Sequence, residues 1–196
     1  RQSDSGDAYT RALEQLARTH HVYACDCSRR TIARDVPDLF GEEMRYPGRC
    51  RERGLAFDTG RSVRVVLGRG SESFDDVRLG PQTQEPDEQC GDLMVRDRLG
   101  QWTYQFAVTV DDLRQDVDLV IRGEDLLPST GRQLRLARML GRAAPPVFLH
   151  HPLIRKPDGE KLSKASGDTG IRELRAAGIP PGEVLERAAR LGGLPA

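Results

Sequence analysis

A strand–helix–strand pattern between residues 118 and 154 is the feature of this sequence that most constrains its fold. An apolar strand leads to a helix with a capping-box pattern at Thr130 and Gln133, and a second apolar strand follows. The three elements are predicted at Asp118–Ile121, Gly131–Leu140 and Val147–Ile154. Two strands joined through a helix pair in parallel with a right-handed crossover, so the pattern predicts an α/β fold.

The rest of the chain alternates short helices with strand patterns. Helical spacing or a capping residue predicts helices at Asp7–Thr19, Ser28–Ile32, Asp168–Ala177 and Gly182–Leu191. Alternating or continuous apolar residues predict strands at Val22–Ala24, Ser62–Leu67, Phe74–Leu79, Leu93–Val95 and Trp102–Val110. Turn-forming and polar residues predict loops at Pro37–Cys50 and Gly80–Gly91.

Composition excludes a membrane-spanning protein and favours a cytoplasmic one. The mean hydropathy is -0.56, and no apolar run approaches the roughly 18 residues of a membrane span. Four cysteines in 196 residues are too few for a disulfide scaffold. The formal net charge is zero, but residues 71–125 are acidic and residues 128–164 are basic. The basic segment is either a phosphate-facing surface or a solvated helix face.

Three cysteines predict a small metal knuckle. Cys25 and Cys27 follow a strand and are separated by one residue, and Cys50 lies on a turn-rich loop. Structural zinc takes four nitrogen, sulfur or oxygen ligands, so one more is needed. The candidates for it are His20, His21, Cys90 and Tyr46. The alternative is a set of small buried thiols without a metal.

The three lysines of the chain, Lys156, Lys161 and Lys164, all lie within nine residues, whereas arginine supplies the basic charge elsewhere. The loop from Gly159 to Lys164 also contains Ser163. Flexible backbone, two ammonium groups and a hydroxyl can close over a polyphosphate and neutralise a leaving pyrophosphate. The chain contains no P-loop motif. The alternative is a solvated loop.

Tyr104 and Arg122 form a candidate carboxylate site. Both are predicted on strands near the edge where ligands bind in open parallel sheets. An arginine there can bind a carboxylate through two hydrogen bonds, with the tyrosine hydroxyl as a further donor. The alternative is an ordinary ion pair of Arg122 with Glu124, Asp125 or the Asp111–Asp112 pair. His150 and His151 are interpreted as structural or phosphate-facing.

Five motifs together resemble the second half of a class I glutamyl-tRNA synthetase catalytic domain, in its order and spacing. They are Tyr104–Asp112, Leu119–Leu126, Gly131–Leu134, His150–Leu153 and Lys161–Lys164. The last is similar to the signature loop usually written KMSKS. With the cysteine region included, the resemblance covers nearly the whole chain.

Within that family, two features are similar to the truncated paralogues, the glutamyl-Q tRNA(Asp) synthetases. Only 32 residues follow Lys164, which are too few for an anticodon-binding domain. The spacing of Cys25, Cys27, Tyr46 and Cys50 also resembles the Cys-Cys-Tyr-Cys zinc site of these paralogues. The resemblance therefore implies Zn²⁺ with Tyr46 as its fourth ligand.

The resemblance implies a division of the chain into three parts. Residues 1–97 would be a zinc-bearing α+β insertion like an acceptor-binding region, 98–164 the second half of a Rossmann-like catalytic domain, and 165–196 a short helical tail. It also implies a cytoplasmic monomer whose substrates are glutamate, ATP with Mg²⁺, and tRNA(Asp). Tyr104 and Arg122 would hold glutamate. Lys164, assisted by Lys161, would be catalytic, and both would bind ATP together with Ser163.

The implied reaction is ATP-dependent activation of glutamate and transfer of the glutamyl group to queuosine in the anticodon loop of tRNA(Asp). The family's first half, with its HIGH-like segment, is absent from these residues, so we expect the chain alone to be inactive. Ala165 and Gln105 depart from the residues common in the family. The alternatives are a fragment of a glutamyl-tRNA synthetase that charges the tRNA(Glu) 3' end and a non-catalytic zinc-dependent RNA-binding module.

Overall fold

The computed structural model describes residues 1–35, 44–154 and 170–192. Its α-helices are α1 (Gly6–Thr19), α2 (Arg29–Asp35), α3 (Pro86–Cys90), α4 (Tyr104–Arg114), α5 (Thr130–Met139), α6 (Ile171–Ala176) and α7 (Pro181–Leu191). Its strands are β1 (Val22–Cys25), β2 (Ser62–Val65), β3 (Glu72–Asp76), β4 (Gly80–Gln84), β5 (Leu93–Arg96), β6 (Leu119–Gly123) and β7 (Val147–His151). Within these residues, no helix has the length and apolar character needed to cross a membrane.

The strands form two sheets. One is antiparallel with the order β1-β2-β5, and the other is mixed with the order β4-β3-β7-β6. In the mixed sheet, β7 pairs in parallel with both β6 and β3, and β4 pairs antiparallel with β3. The β6–α5–β7 unit confirms the strand–helix–strand prediction and the α/β class. Its register places Arg122 of β6 beside His150 of β7.

The predicted strand Trp102–Val110 is wrong, because these residues begin helix α4. Phe106, Ala107 and Val110 are buried at helical spacing against the main core. A short apolar run rich in β-branched residues has no period that separates a strand from a buried helix. Here the burial of one face against the main core selects the helix over the strand. Tyr104 is the first residue of that helix.

The predicted loop Gly80–Gly91 is wrong in most of its length. Gly80 has φ +73, a left-handed conformation that suits a tight turn, and β4 starts there. The strand is polar because it lies at the sheet edge, where every second residue is exposed. Pro86 then starts the short helix α3, a position that proline favours because its missing N–H is not needed there.

The main hydrophobic core joins elements from both sides of residue 97. Tyr9 and Leu16 of α1 pack in it with Phe106 of α4 and Leu136 of α5. Strand β3 likewise lies in the same sheet as β7. The division of the chain at residues 97 and 164 stays a prediction.

The acidic and basic segments of the chain bind each other at Glu72. This carboxylate is only 2% exposed and accepts hydrogen bonds from the guanidinium groups of Arg135 and Arg138 on α5. Arg135 also donates to the carbonyl of Leu67 over 2.9 Å. These two arginines of the basic segment therefore connect helix α5 to strand β3, Arg135 as a largely buried side chain and Arg138 from the solvent-exposed side.

We predict that Glu72→Gln destabilises the fold by about 3 kcal/mol, because removing one partner of a buried ion pair leaves the other charge uncompensated. The matched control is Glu183→Gln, which breaks an exposed pair with Arg187 on α7. We expect that change to cost less than about 0.5 kcal/mol. Urea unfolding of both variants measures the difference, and equal losses would contradict the structural role of Glu72.

Candidate functional site

Arg122 lies near the carboxyl end of β6 and is held on three sides by neutral acceptors. Its Nε donates to His150 Nε2 over 3.0 Å, Nη1 to Gln133 Oε1 over 2.6 Å, and Nη2 to Thr130 Oγ1 over 2.8 Å. A guanidinium has five N–H donors, so these three contacts leave two N–H groups on its terminal nitrogens, next to the Tyr104 hydroxyl. An arginine can bind a carboxylate through two such N–H groups.

The predicted alternative, an ion pair in which a carboxylate directly contacts Arg122, is not found among the described residues, and the Asp112 carboxylate acts on the guanidinium only at longer range. Glu124 binds the guanidinium of Arg78 over 2.6 Å, and Asp111 pairs with Arg114 over 3.5 Å. Arg122 is only 8% exposed. A buried cation is costly without a carboxylate in direct contact, so this guanidinium is suited to bind an anion that enters from outside the fold.

Tyr104 lies beside Arg122, although it does so from a helix and not from the predicted strand. Burial lowers the pKa of the Arg122 guanidinium from its ordinary value, and interactions with the Tyr104 hydroxyl and the Asp112 carboxylate oppose that shift. The Tyr104 side chain is half exposed. The structure thus brings together the two residues predicted to form a carboxylate site.

Thr130 and Gln133 do not form the predicted capping box. Ser129 occupies the N-cap position of α5, and the side chains of Thr130 and Gln133 bind Arg122 instead. Gln133 Nε2 then donates to Gln105 Oε1 over 2.6 Å, and Gln105 Nε2 donates to Ser129 Oγ over 2.9 Å. Sequence reasoning missed these partners of Arg122. Their signal in the sequence is the three-residue spacing of two polar residues, Thr130 and Gln133, on the helix that follows the strand of Arg122.

The cysteine knuckle is assembled as predicted from Cys25, Cys27 and Cys50, whose sulfur atoms all lie within 4.8 Å of one another. Cys27 Sγ is 3.5 Å from Cys50 Sγ. The Tyr46 hydroxyl is 3.3 Å from Cys25 Sγ and 3.7 Å from Cys27 Sγ. Tetrahedral zinc ligands would be about 3.8 Å apart for two sulfurs and about 3.5 Å for sulfur and oxygen. The four side chains therefore fit a zinc ion.

The other candidates for the fourth ligand lie elsewhere. His20 Nε2 is 3.3 Å from the carbonyl oxygen of Met139, and the His21 ring packs against Tyr23. Cys90 belongs to the main core, where its thiol donates to the Pro86 carbonyl. Tyr46 is the one of the four that the structure places among the cysteines.

The surroundings of the knuckle contain two arginines and the Asp26 carboxylate, which pairs with Arg53 over 2.7 Å. Arg53 donates to Cys50 Sγ over 3.3 Å, and the Arg64 guanidinium lies 3.7 Å from the centre of the Tyr46 ring. Burial raises the pKa of the Cys27 thiol to about 12. Burial acts in the same direction on Cys50, but hydrogen bonds from Tyr46 and other neighbours outweigh it and lower the pKa of that thiol. Cationic neighbours stabilise thiolates, which are the form that binds a metal.

The lysine loop lies outside the described residues. Lys161, Ser163 and Lys164 all fall in the range 155–169, as does Lys156. Their assigned contacts with ATP stay predictions.

The family described as "tRNA synthetases class I (E and Q), catalytic domain" matches residues 1–196. The chain belongs to this class I synthetase family. Among curated members, the glutamyl-Q tRNA(Asp) synthetase of Bordetella bronchiseptica is 46% identical over 171 residues, which cover 85% of this chain and 53% of that protein. The glutamyl-Q tRNA(Asp) synthetase of Geobacter sulfurreducens is 41% identical over 196 residues, covering 98% and 62%.

A solved structure of the same class I synthetase family has a similar fold. The glutamate-tRNA synthetase of Elizabethkingia anophelis superposes with a TM-score of 0.66 at 27% identity, over 92% of this chain and 38% of that one. The chain thus spans about half to two thirds of the length of the two curated synthetases described above.

Gly91 connects the metal site of this class I synthetase chain to strand β5. It has φ +66, and a Cβ added there would lie 1.9 Å from the backbone oxygen of Tyr46. We predict that Gly91→Ala displaces Tyr46 and weakens zinc binding at least about 10-fold. Changes to residues that position a metal ligand typically lower metal affinity by about this factor. Competition with a fluorescent zinc chelator measures the affinity.

Gly54→Ala is the matched control. Gly54 also has a positive φ, +59, but a Cβ there meets nothing within 4 Å, so the variant places alanine at a positive φ without the clash. We expect it to bind zinc like the unaltered protein, whereas Cys25→Ser should abolish the site. Equal zinc affinities for the two alanine variants would contradict the role of Gly91.

Proposed function

We propose that this chain is part of an enzyme that activates glutamate with ATP and transfers the glutamyl group to queuosine in the anticodon loop of tRNA(Asp). The observation that carries the proposal is the buried Arg122 guanidinium, which no carboxylate of the described part of the chain contacts directly. A substrate with a carboxylate would supply the missing charge. Glutamate supplies two carboxylates, one to be held and one to react.

Arg122 holds the side-chain carboxylate of glutamate. The attacking α-carboxylate must keep its electron density, and a bidentate contact with a guanidinium would neutralise it. The carboxylate that Arg122 binds is therefore the one that does not react. Tyr104, at the start of α4, donates its hydroxyl to the same substrate. This arrangement also rejects glutamine, because its amide would place an N–H against the guanidinium donors.

The chemical step is an in-line displacement. An α-carboxylate oxygen of glutamate forms a bond to the α-phosphorus of ATP, and the bond to the departing pyrophosphate breaks. Lys164, assisted by Lys161, offsets the charge on the pyrophosphate, and Ser163 binds ATP with them; Mg²⁺ accompanies the nucleotide. A queuosine hydroxyl then attacks the activated carbonyl carbon, AMP leaves, and the hydroxyl proton is released.

The choice of queuosine as acceptor is supported by the similarity to two glutamyl-Q tRNA(Asp) synthetases, at 41% and 46% identity, and by the Cys-Cys-Tyr-Cys pattern. Zn²⁺ held by Cys25, Cys27, Tyr46 and Cys50 stabilises the knuckle and supplies no step of the chemistry. We propose that the enzyme is a cytoplasmic monomer. In this proposal the chain alone is inactive. Activity is therefore assayed on a full-length protein that contains this chain and is about as long as its relatives.

We predict that Arg122→Lys in the full-length protein lowers kcat/KM for glutamate roughly 100-fold, since a lost charge-assisted pair of hydrogen bonds costs about 3 kcal/mol. The KM for ATP should change less than about 2-fold, because the variant leaves the nucleotide site intact. Glutamate-dependent exchange of pyrophosphate into ATP measures both constants. The control is Arg18→Lys, an exposed arginine of α1. An unaltered KM for glutamate in Arg122→Lys would contradict the proposal.

The same exchange assay separates the alternatives. Exchange without tRNA supports the queuosine enzyme as proposed. An absolute requirement for tRNA(Glu) would favour a glutamyl-tRNA synthetase instead. Binding of tRNA with no exchange under any condition would indicate a non-catalytic RNA-binding module.

A further inference from the structure

Behind Arg122 lies a buried pair, Asp76 and His150, that the proposed chemistry does not use. The three residues occupy the adjacent parallel strands β3, β7 and β6. In the register, Arg122 pairs with His150, and Asp76 pairs with Phe148 two residues before that histidine. The side chains of Asp76 and His150 are both 0% exposed. A buried ionisable pair of this kind needs a physical reason, because burial of polar groups costs free energy.

Asp76 is fixed as an anion by four contacts. Its Oδ1 accepts from the backbone N–H groups of Arg78 over 3.0 Å and Leu79 over 2.9 Å. Its Oδ2 accepts from the backbone N–H of His150 over 3.0 Å and lies 2.6 Å from Nδ1 of the same residue. These hydrogen bonds lower the pKa of the Asp76 carboxyl, against the opposing effect of burial. The ionised carboxylate only accepts, so the proton between Asp76 and His150 lies on Nδ1.

The other ring nitrogen of His150 must accept. Arg122 Nε lies 3.0 Å from His150 Nε2, and a guanidinium nitrogen can only donate. His150 is therefore neutral, with Nδ1 protonated and the Nε2 lone pair directed at Arg122. Burial lowers the pKa of His150, and the charges of Arg122 and Arg78 act in the same direction, while Asp76 opposes them. A protonated ring would place an N–H against the N–H of Arg122.

We propose that Asp76 and His150 are positioning residues for the substrate-binding arginine. Asp76 selects the Nδ1–H tautomer of His150, and His150 Nε2 holds the Nε edge of Arg122. With Thr130 and Gln133 on its terminal nitrogens, the guanidinium is fixed before glutamate arrives, and the ordering entropy of a long side chain does not have to be lost on binding. The proposal rests on the proposed function only for the identity of the anion as glutamate.

Two substitutions of the same residue test the positioning role. His150→Asn keeps an amide donor near the position of Nδ1, toward Asp76, but removes the acceptor for Arg122. His150→Gln is longer and can place an amide oxygen near the position of Nε2, so it restores that acceptor. Both variants lose the imidazole ring, which stacks on Phe148 with 5.8 Å between ring centres. Their losses of packing are therefore similar.

We expect His150→Asn in the full-length protein to raise the KM for glutamate about 10-fold, on the order of one lost charged hydrogen bond, with the KM for ATP and kcat nearly unchanged. His150→Gln should recover most of that loss. Pyrophosphate exchange measures the constants, and thermal unfolding compares the stability of the two variants. An equal rise in KM for both variants would show that His150 acts only by packing and would overturn the proposal.

The tautomer gives a second test that does not require activity. Nitrogen-15 NMR of histidine-labelled protein should show protonated Nδ1 and unprotonated Nε2 for His150 at neutral pH. Asp76→Asn should shift the ring toward the Nε2–H form, because an amide can donate to Nδ1. A Nε2–H or doubly protonated His150 in the unaltered protein would overturn the positioning role. By contrast, an unaltered KM for glutamate in Arg122→Lys would overturn the proposed function and leave the tautomer result standing.

Discussion

The buried guanidinium of Arg122 is the group on which the arrangement of the candidate site depends. It can only donate hydrogen bonds, so each side chain that hydrogen-bonds to it must offer an acceptor. His150, Gln133 and Thr130 do so from β7 and α5 without supplying a negative charge. The strand–helix–strand unit therefore holds the cation in place, and the lack of a carboxylate in direct contact is the basis for proposing an anionic substrate.

The metal knuckle is a separate structure that is attached to the antiparallel sheet. Its cysteines come from the end of β1 and from the turn at Cys50, and Tyr46 is fixed by a backbone bridge to Gly91 just before β5. The Tyr46 ring and Cys25 belong to a small core of their own. A zinc ion there would compensate for the few apolar residues available to hold this segment. The two sites thus have different proposed roles, one in ligand binding and one in local stability.

Local patterns in the sequence predict some of this well and some of it poorly. The β6–α5–β7 unit and the cysteine cluster follow from periodicity and spacing over short stretches. The helix that starts at Tyr104 cannot be predicted in this way. Its run of apolar and β-branched residues fits a strand or a buried helix equally well until the core it packs against is known. The partners of Arg122 depend on contacts between distant segments: Asp76 lies 74 residues before His150 along the chain. From the sequence alone, Thr130 and Gln133 fit a capping motif as well as they fit hydrogen-bonding partners of Arg122. The contacts in the structure decide for the second role.

The proposed function depends most on Arg122, which binds the unreactive carboxylate of glutamate in that proposal. A crystal structure of the full-length protein with bound glutamate tests this binding directly. We predict two hydrogen bonds from the terminal nitrogens of Arg122 to the side-chain carboxylate, with the contacts to His150, Thr130 and Gln133 retained. Glutamate bound with its α-carboxylate on Arg122, or bound away from this residue altogether, would contradict it.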